Sequence, residues 1–224
     1  MIESVKFYSE GNLIFGNLHL PYENSPCVIT LHGLESSKDG YKWPIIAEKL
    51  YGQGYACLRF NFRGCGEGSE KSEGEFANLT ERIKDYKSAL QFLQGANKVD
   101  MNRLGAVGSS FGGMVGIAAQ DKRIRAIAIL ATPYKLREKA RKVKKSFYKD
   151  LEKYDLLKAI KNAPPIMMIY GSLDEYVEHG YKLYENAREP KRIEIIEGAD
   201  HILSQPEHLN RAIDLILEWF GEHL

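Results

Sequence analysis

The feature that most constrains this chain is a glycine-flanked serine placed where a short apolar run ends. Residues 104–107 are mostly apolar, residues 108–112 read Gly-Ser-Ser-Phe-Gly, and residues 115–119 have the small-residue pattern of a helix. In a strand, turn and helix of this kind, the serine is held above the sheet edge in a strained, positive-φ conformation. The pattern therefore predicts that Ser110 is a nucleophile, and the alternative is a serine that only caps the helix.

Apolar runs of strand length alternate with helical patterns along most of the chain. The predicted strands are 4–8, 13–20, 27–31, 55–62, 103–109, 124–131, 166–170 and 192–196. The predicted helices are 43–51, 79–93, 178–186 and 207–220. This alternation after an initial hairpin predicts an α/β fold, with a mostly parallel sheet of about eight strands and helices on both faces. The 224 residues, 44% of them hydrophobic, are expected to form a single domain over residues 1–224.

Residues 132–163 interrupt the alternation and are predicted to form a small helical cap inserted after a strand. Apolar side chains recur there at steps of three and four residues, as on one face of a helix: Leu136, Ala140, Val143, Phe147, Leu151 and Tyr154. Lys and Arg fill many of the other positions, which favours a solvated face; a surface for nucleic acid or anionic lipid is the alternative. A second short helix is expected from Asp155, a good N-cap residue, to Ile160.

Charge and composition narrow the class of partner. Lys and Arg number 31 and Asp and Glu 30, so no strong overall field would attract nucleic acid or an anionic membrane. No apolar leader and no apolar run of membrane-spanning length is present, so a cytoplasmic protein is expected. The three cysteines lack metal-ligand spacing, and no metal or organic cofactor is expected. The expected partner is a small-molecule ester, and a homodimer is left open.

A base and an acid for Ser110 follow two later predicted strands. Loops at the carboxyl ends of parallel strands gather at one edge of the sheet, and Asp174 and His201 lie in two such loops. A serine hydroxyl is a weak nucleophile and needs a neighbouring base. A neutral His201 would accept its proton, while Asp174 would fix the imidazole tautomer and stabilise the imidazolium that forms. The sequence thus predicts a Ser110–His201–Asp174 triad.

Rival residues exist for both supporting roles. Glu175 and Asp200 are alternative acids, but Glu175 would point away if Asp174 points inward, and Asp200 is too close to the histidine in sequence for an easy bond to its ring. His179 is the main alternative base, although the chain order favours His201. His32 precedes the serine and is expected to pack beneath a neighbouring loop.

An acyl substrate also needs donors for its developing oxyanion and a pocket for its acyl group. The backbone N–H groups of Leu34, after His-Gly at 32–33, and of Phe111, at the start of the helix, are the predicted donors. Aromatic residues that could line a pocket, or simply pack, are Trp43, Tyr134, Phe147 and Tyr148.

Four stretches together resemble one superfamily. Residues 32–38, 59–69, 108–113 and 198–201 are similar to motifs of the α/β-hydrolases, in the branch of cinnamoyl and feruloyl esterases, monoacylglycerol lipases and serine-aminopeptidase-like hydrolases. That branch often has Asp where Asn61 stands and His where Cys65 stands. The resemblance implies a serine esterase that works through an acyl-enzyme, and the short cap favours short-chain or small aromatic acyl groups. A peptidase or amidase using the same triad, and a non-catalytic binding protein that retains the fold, are the alternatives.

Overall fold

An eight-stranded, mostly parallel sheet forms the centre of the chain. The computed structural model describes residues 1–136 and 144–224. The strands in this part are β1 (Ile2–Ser9), β2 (Asn12–His19), β3 (Ser25–Leu31), β4 (Ala56–Phe60), β5 (Val99–Ser109), β6 (Ile124–Leu130), β7 (Ile166–Gly171) and β8 (Lys191–Ile196). Their order across the sheet is β1-β2-β4-β3-β5-β6-β7-β8. The β1–β2 and β2–β4 pairs are antiparallel and all the others are parallel, which confirms the predicted architecture.

Helices cover both faces of this sheet. The helices in the described part are α1 (Lys42–Gly52), α2 (Leu79–Ala96), α3 (Phe111–Ala119), α4 (Lys145–Leu151), α5 (Leu156–Ala159), α6 (Val177–Asn186) and α7 (Pro206–His223). Within β3, Val28 packs with α1 and α7, while its neighbours Cys27 and Ile29 pack on the face covered by α2 and α3. Successive side chains of a strand point to opposite faces, so the continuous apolar runs reflect burial on both sides. None of the described helices is long and apolar enough to cross a membrane.

Helix α2 is longer than the sequence pattern predicted, and its ends show why. Asn78 and Glu81 form a reciprocal capping box at its start. The helix continues to Ala96, where Asn97 adopts the left-handed conformation that commonly ends helices. The last three residues, Gln94, Gly95 and Ala96, carry no large apolar side chain, so the apolar periodicity did not mark this end.

In the described part of the segment between β6 and β7, the first helix is shorter than predicted. The expected apolar helical face ran from Leu136 to Tyr154, but in the described part α4 covers only Lys145–Leu151, and Leu136 and Tyr154 lie outside it. Residues 137–143, which carry Ala140, Val143 and several of the basic positions, lie outside the described residues. The second short helix is present: the Asp155 side chain accepts a hydrogen bond from the Lys158 N–H at its first turn.

Candidate active site

Ser110 occupies the sharp turn between β5 and α3. Its φ of 53° and ψ of −119° lie in the strained region expected for such a serine, and its N–H donates to the Leu130 carbonyl at 2.8 Å. The glycines that follow Ser110 are closely packed. A Cβ on Gly112 would lie 1.9 Å from the Leu31 carbonyl oxygen, and one on Gly113 would lie 1.9 Å from Thr132 Oγ1. These glycines let α3 pack against the ends of β3 and β6, which holds the serine in place.

The loops after β7 and β8 are tied together by their backbones. The Ser172 N–H donates to the Ile196 carbonyl, and the Leu173 N–H donates to the Ala199 carbonyl, both at 3.0 Å. Gly171 permits this close approach, because a Cβ there would lie 2.1 Å from the Ala199 oxygen. The two loops carry Asp174 and His201, so their docking brings the carboxylate to the imidazole.

The three predicted side chains meet at the carboxyl edge of the sheet. His201 Nε2 lies 3.2 Å from Ser110 Oγ, and His201 Nδ1 lies 2.9 Å from Asp174 Oδ1. Asp174 is buried, and its Oδ1 also accepts the Tyr176 N–H at 2.9 Å. Since a carboxylate oxygen accepts hydrogen bonds, Nδ1 carries the imidazole proton and Nε2 is left to accept the serine proton. The arrangement can therefore activate the hydroxyl.

Three of the four rival residues have other hydrogen-bond partners, and the fourth is exposed. Asp200 accepts the Ser204 N–H at 2.9 Å, and Glu175 is exposed. His179 Nδ1 accepts the Tyr134 N–H at 3.3 Å, and its ring lies against that of Tyr134. His32 is buried and accepts the Phe62 N–H at Nε2, as expected of a packing residue; burial lowers its pKa to about 3, so it is neutral.

The loop after β3 lies directly against the serine turn. A Cβ on Gly33 would lie 3.6 Å from the Ser110 Cβ and 3.4 Å from the Ser109 carbonyl oxygen. The Leu34 N–H follows Gly33, and the Phe111 N–H is the first of α3, where no preceding helical carbonyl can take it. The Phe111 amide is therefore next to Ser110 in the chain. The Leu34 amide follows Gly33, which lies beside Ser110 in space.

The four candidate pocket residues do not share one pocket. Trp43 is 1% exposed and packs in the core between the sheet, α1 and α7, so it is a packing residue. Phe147 packs against Phe111, with tilted rings whose centroids are 5.2 Å apart, and borders a cavity of about 530 Å³. Tyr134 and Tyr148 border a different cavity of about 400 Å³. The aromatic residue type alone could not show which of these positions lie in the core and which border a cavity.

Two buried cations near Ser110 escaped the sequence analysis. Lys42 donates from Nζ to Ser109 Oγ at 3.1 Å. Burial lowers the pKa of Lys42 to about 8, although the nearby carboxylates of Asp200 and Asp174 act to raise it. Arg82, on α2, is fully buried beneath the loop after β3. The sequence could have indicated that Arg82 is buried, because it lies three residues after Leu79 on the apolar face of α2. Lys42 is the first residue of its helix, and no pattern indicates its burial.

The described residues include no group of three or more His, Cys, Asp and Glu side chains able to hold a metal ion. The His201 imidazole contacts Ser110 Oγ, Asp174 holds that imidazole, and backbone amides of the two adjoining loops lie nearby. This donor set suits acyl transfer.

Comparison with known proteins identifies the family. The family model described as alpha/beta hydrolase fold matches residues 26–166, well over half of the chain. The chain belongs to the alpha/beta hydrolase family. The matched range of this hydrolase includes Ser110 and the loop after β3, whereas Asp174 and His201 follow it.

Two curated relatives and one solved structure illustrate the similarity. The quorum-quenching protein AidA of Acinetobacter baumannii (strain MDR-ZJ06) is 31% identical over 105 residues, which are 46% of this hydrolase and 34% of AidA. YfhR of Escherichia coli O157:H7 is 27% identical over 89% of this chain and 73% of YfhR. The hydrolase thus spans about a third of one relative and most of the other. Est1E from Butyrivibrio proteoclasticus, solved with ferulic acid, has a TM-score of 0.83 at 18% identity, covering 97% of this chain and 99% of that one. This similarity concerns the fold.

Proposed function

We propose that this hydrolase cleaves carboxylic esters through an acyl-enzyme formed on Ser110. The observation that carries the proposal is the continuous hydrogen-bonded line from Ser110 Oγ through His201 to Asp174, with contacts of 3.2 and 2.9 Å. The strained backbone of Ser110 supports it, since strain of this kind costs about 1–3 kcal/mol and clusters at functional sites.

In the proposed reaction, Ser110 Oγ attacks the ester carbonyl while His201 Nε2 takes its proton. The negative charge on the carbonyl oxygen is held by the Leu34 and Phe111 N–H groups. His201 then protonates the leaving alcohol, and the acyl group stays on Ser110. A water molecule, activated by His201, attacks the acyl-enzyme and releases the acid. Asp174 stabilises the imidazolium in both halves.

The acyl group is proposed to be short or small and aromatic. The cavity bordered by Tyr134 and Tyr148 also includes Met114, one turn of α3 beyond Ser110, and its volume is about 400 Å³. Ligand pockets range from about 300 to 1,000 Å³, so this one suits a small group. The fold is shared with Est1E, which was solved with ferulic acid. A rate that rises steadily from acetyl to palmitoyl esters would contradict this part of the proposal.

The test is hydrolysis of p-nitrophenyl acetate by the wild type and by Ser110→Ala. We expect the variant to lose at least about 10³-fold in kcat, because the hydroxyl is the nucleophile. A fluorophosphonate probe should label the wild type and leave Ser110→Ala unlabelled. Near-normal hydrolysis by Ser110→Ala would refute the mechanism. Labelling without ester turnover, but with turnover of p-nitroanilides, would instead favour an amidase, and absence of labelling would favour a binding protein.

A further inference from the structure

Arg82 is a buried cation that holds the loop after β3 by its carbonyls. Its side chain has no exposed surface. Nη1 donates to the carbonyls of His32 at 3.1 Å and Gly33 at 3.0 Å, and Nη2 donates to that of Leu34 at 3.3 Å. One rigid fork thus engages three consecutive carbonyls of a loop that has no regular secondary structure.

These contacts fix the direction of the intervening N–H groups. The Gly33 carbonyl and the Leu34 N–H belong to one planar trans peptide, so they point in opposite directions. Because the carbonyl points at Arg82, the Leu34 N–H points away from it. Gly33 lies between the guanidinium on one side and Ser110 on the other, with its Cβ position 3.6 Å from the Ser110 Cβ. The His32 ring also donates from Nδ1 to the Gly33 carbonyl at 2.9 Å, so the guanidinium and this imidazole together set which way the Leu34 donor faces.

Aromatic rings lock the guanidinium itself. Its Cζ lies 4.6 Å from the ring centroid of Phe62, 5.1 Å from that of Phe111 and 5.5 Å from that of Phe76. Phe111 also carries the second proposed oxyanion donor on its backbone. A buried cation between aromatic faces gains cation–π attraction, which partly offsets its loss of hydration. Arg82 thus touches both segments that carry the donors.

We infer that Arg82 is a positioning residue that aligns the Leu34 N–H, and through the Phe111 ring braces the second donor, for a developing oxyanion. The inference rests on the proposed esterase function. Arg82 is expected to affect stabilisation of the transition state and not substrate affinity, because its guanidinium contacts the carbonyl side of the loop, away from the donor N–H. Its loss should lower kcat with little change in KM.

The test compares an ester with its thionoester, in which sulfur replaces the carbonyl oxygen. Sulfur accepts N–H hydrogen bonds weakly, so thionoester cleavage depends much less on the oxyanion donors. The variants are Arg82→Gln, and Arg82→Lys, whose single ammonium cannot reproduce the fork. Arg123→Gln is the matched control, because Arg123 pairs with Asp121 just before β6, at the other edge of the sheet. The measurements are kcat and KM for p-nitrophenyl acetate and for its thionoester.

For both Arg82 variants we expect kcat on the ester to fall about 10- to 100-fold, since removal of one oxyanion donor costs about 10²–10³. KM and the thionoester kcat should stay within about threefold, and Arg123→Gln should match the wild type on both substrates. An equal fall on both substrates, or failure of both variants to fold, would assign Arg82 to general stability and overturn the inference. Unchanged ester kcat would overturn it as well.

The failure of the proposed function gives a different result. If the wild type cleaves neither substrate and the fluorophosphonate probe does not label Ser110, the esterase proposal fails and the role of Arg82 falls with it. If the wild type is active, Ser110→Ala is inactive, and the Arg82 variants keep the wild-type ratio of ester to thionoester rates, only the inference about Arg82 fails.

Discussion

His201 Nε2 lies 3.2 Å from Ser110 Oγ, although 91 residues separate the two in the chain. The contact exists because β8 and β5 end at the same edge of one sheet, and because the loop after β8 is bonded to the loop after β7. The loop after β7 carries Asp174, whose Oδ1 accepts a hydrogen bond from His201 Nδ1. The orientation of the histidine thus depends on one carboxylate oxygen.

Asp174→Asn should therefore lower kcat by about 10³–10⁴ while the protein stays folded, as expected when the tautomer of a catalytic histidine is no longer fixed. An amide of the same size offers Nδ1 either a donor or a weaker acceptor. The measurement is kcat for p-nitrophenyl acetate, with the melting temperature as a check of folding. Glu175→Gln, a change at the exposed neighbour, should leave kcat within about twofold. Activity of Asp174→Asn within tenfold of wild type would contradict the assigned role.

The architecture and the three triad candidates could be predicted from the sequence because both depend on local patterns. A buried parallel strand is a continuous apolar run, and a loop after such a strand reaches the same edge as its neighbours. Ser110, Asp174 and His201 each follow a strand of this kind, so their convergence could be predicted without knowing any distance. Their catalytic roles remain proposals.

What the sequence misses depends on packing between distant segments. Lys42 looks like an ordinary helix residue, and the position of Arg82 on the apolar stripe of α2 indicates burial but no partner. Only the tertiary structure places their charged ends at Ser109 and at the loop after β3. Trp43 shows the reverse case: an aromatic residue predicted as a pocket candidate packs in the core, because its face of α1 turns toward α7. An aromatic side chain can line a pocket or pack in the core equally well, so the residue type alone does not predict which of the two it does.

Gly112→Ala and Gly116→Ala should have opposite effects, although both lie in α3. A Cβ at 112 would lie 1.9 Å from the Leu31 carbonyl oxygen, so backbone must shift and the turn of Ser110 must move with it. At 116 the nearest atom is the Leu31 Cδ1 at 3.5 Å, an ordinary contact. We expect Gly112→Ala to lose about 3 kcal/mol or more of stability together with activity.

Gly116→Ala should gain about 0.5–1 kcal/mol, because alanine in a helix interior loses less backbone entropy on folding. Urea denaturation of the two variants and the wild type measures both changes. Equal stability of the two variants would show that the close packing of α3 on β3 does not require glycine at 112.

Stability should fall as the pH is lowered from neutral toward 4, in part because two histidines are buried in neutral form. Burial, with the nearby Arg59, lowers the pKa of His19 to about 4, and burial lowers that of His32 to about 3. The unfolded chain, with a histidine pKa near 6.5, binds these protons first, so acid favours unfolding. His19 is buried although it lies in the antiparallel part of the sheet.

His19→Gln should remove part of this acid sensitivity. Glutamine does not titrate, and its carbonyl can still accept the hydrogen bond that Arg59 Nε donates to His19 at 3.2 Å. Urea unfolding of wild type and variant at several pH values between 7 and 4.5 gives the comparison. The free energy of unfolding of the variant should decline less steeply below pH 6.5. Parallel curves for the two proteins over this interval would show that His19 is not buried as a neutral group.

Lys42→Met should stabilise the protein at neutral pH. Burial lowers the pKa of Lys42 from 10.5 to about 8, which corresponds to about 3 kcal/mol of penalty for the charged form. Loss of the hydrogen bond to Ser109 offsets about 1 kcal/mol of the gain, so a net rise of about 2 kcal/mol is expected at pH 7. The side chain of methionine has similar length and suits the apolar surroundings.

The pH dependence separates this cause from a general packing effect. Below pH 8 the lysine is charged in both states, and between about 8 and 10.5 the folded protein loses the proton while the unfolded chain retains it. Wild-type stability should therefore rise relative to that of Lys42→Met over this interval, until the advantage of the variant disappears. Lys49→Met, on the exposed side of α1, should change stability by less than about 0.5 kcal/mol at every pH. A constant difference between wild type and Lys42→Met from pH 7 to 10.5 would show that the buried charge is not its source.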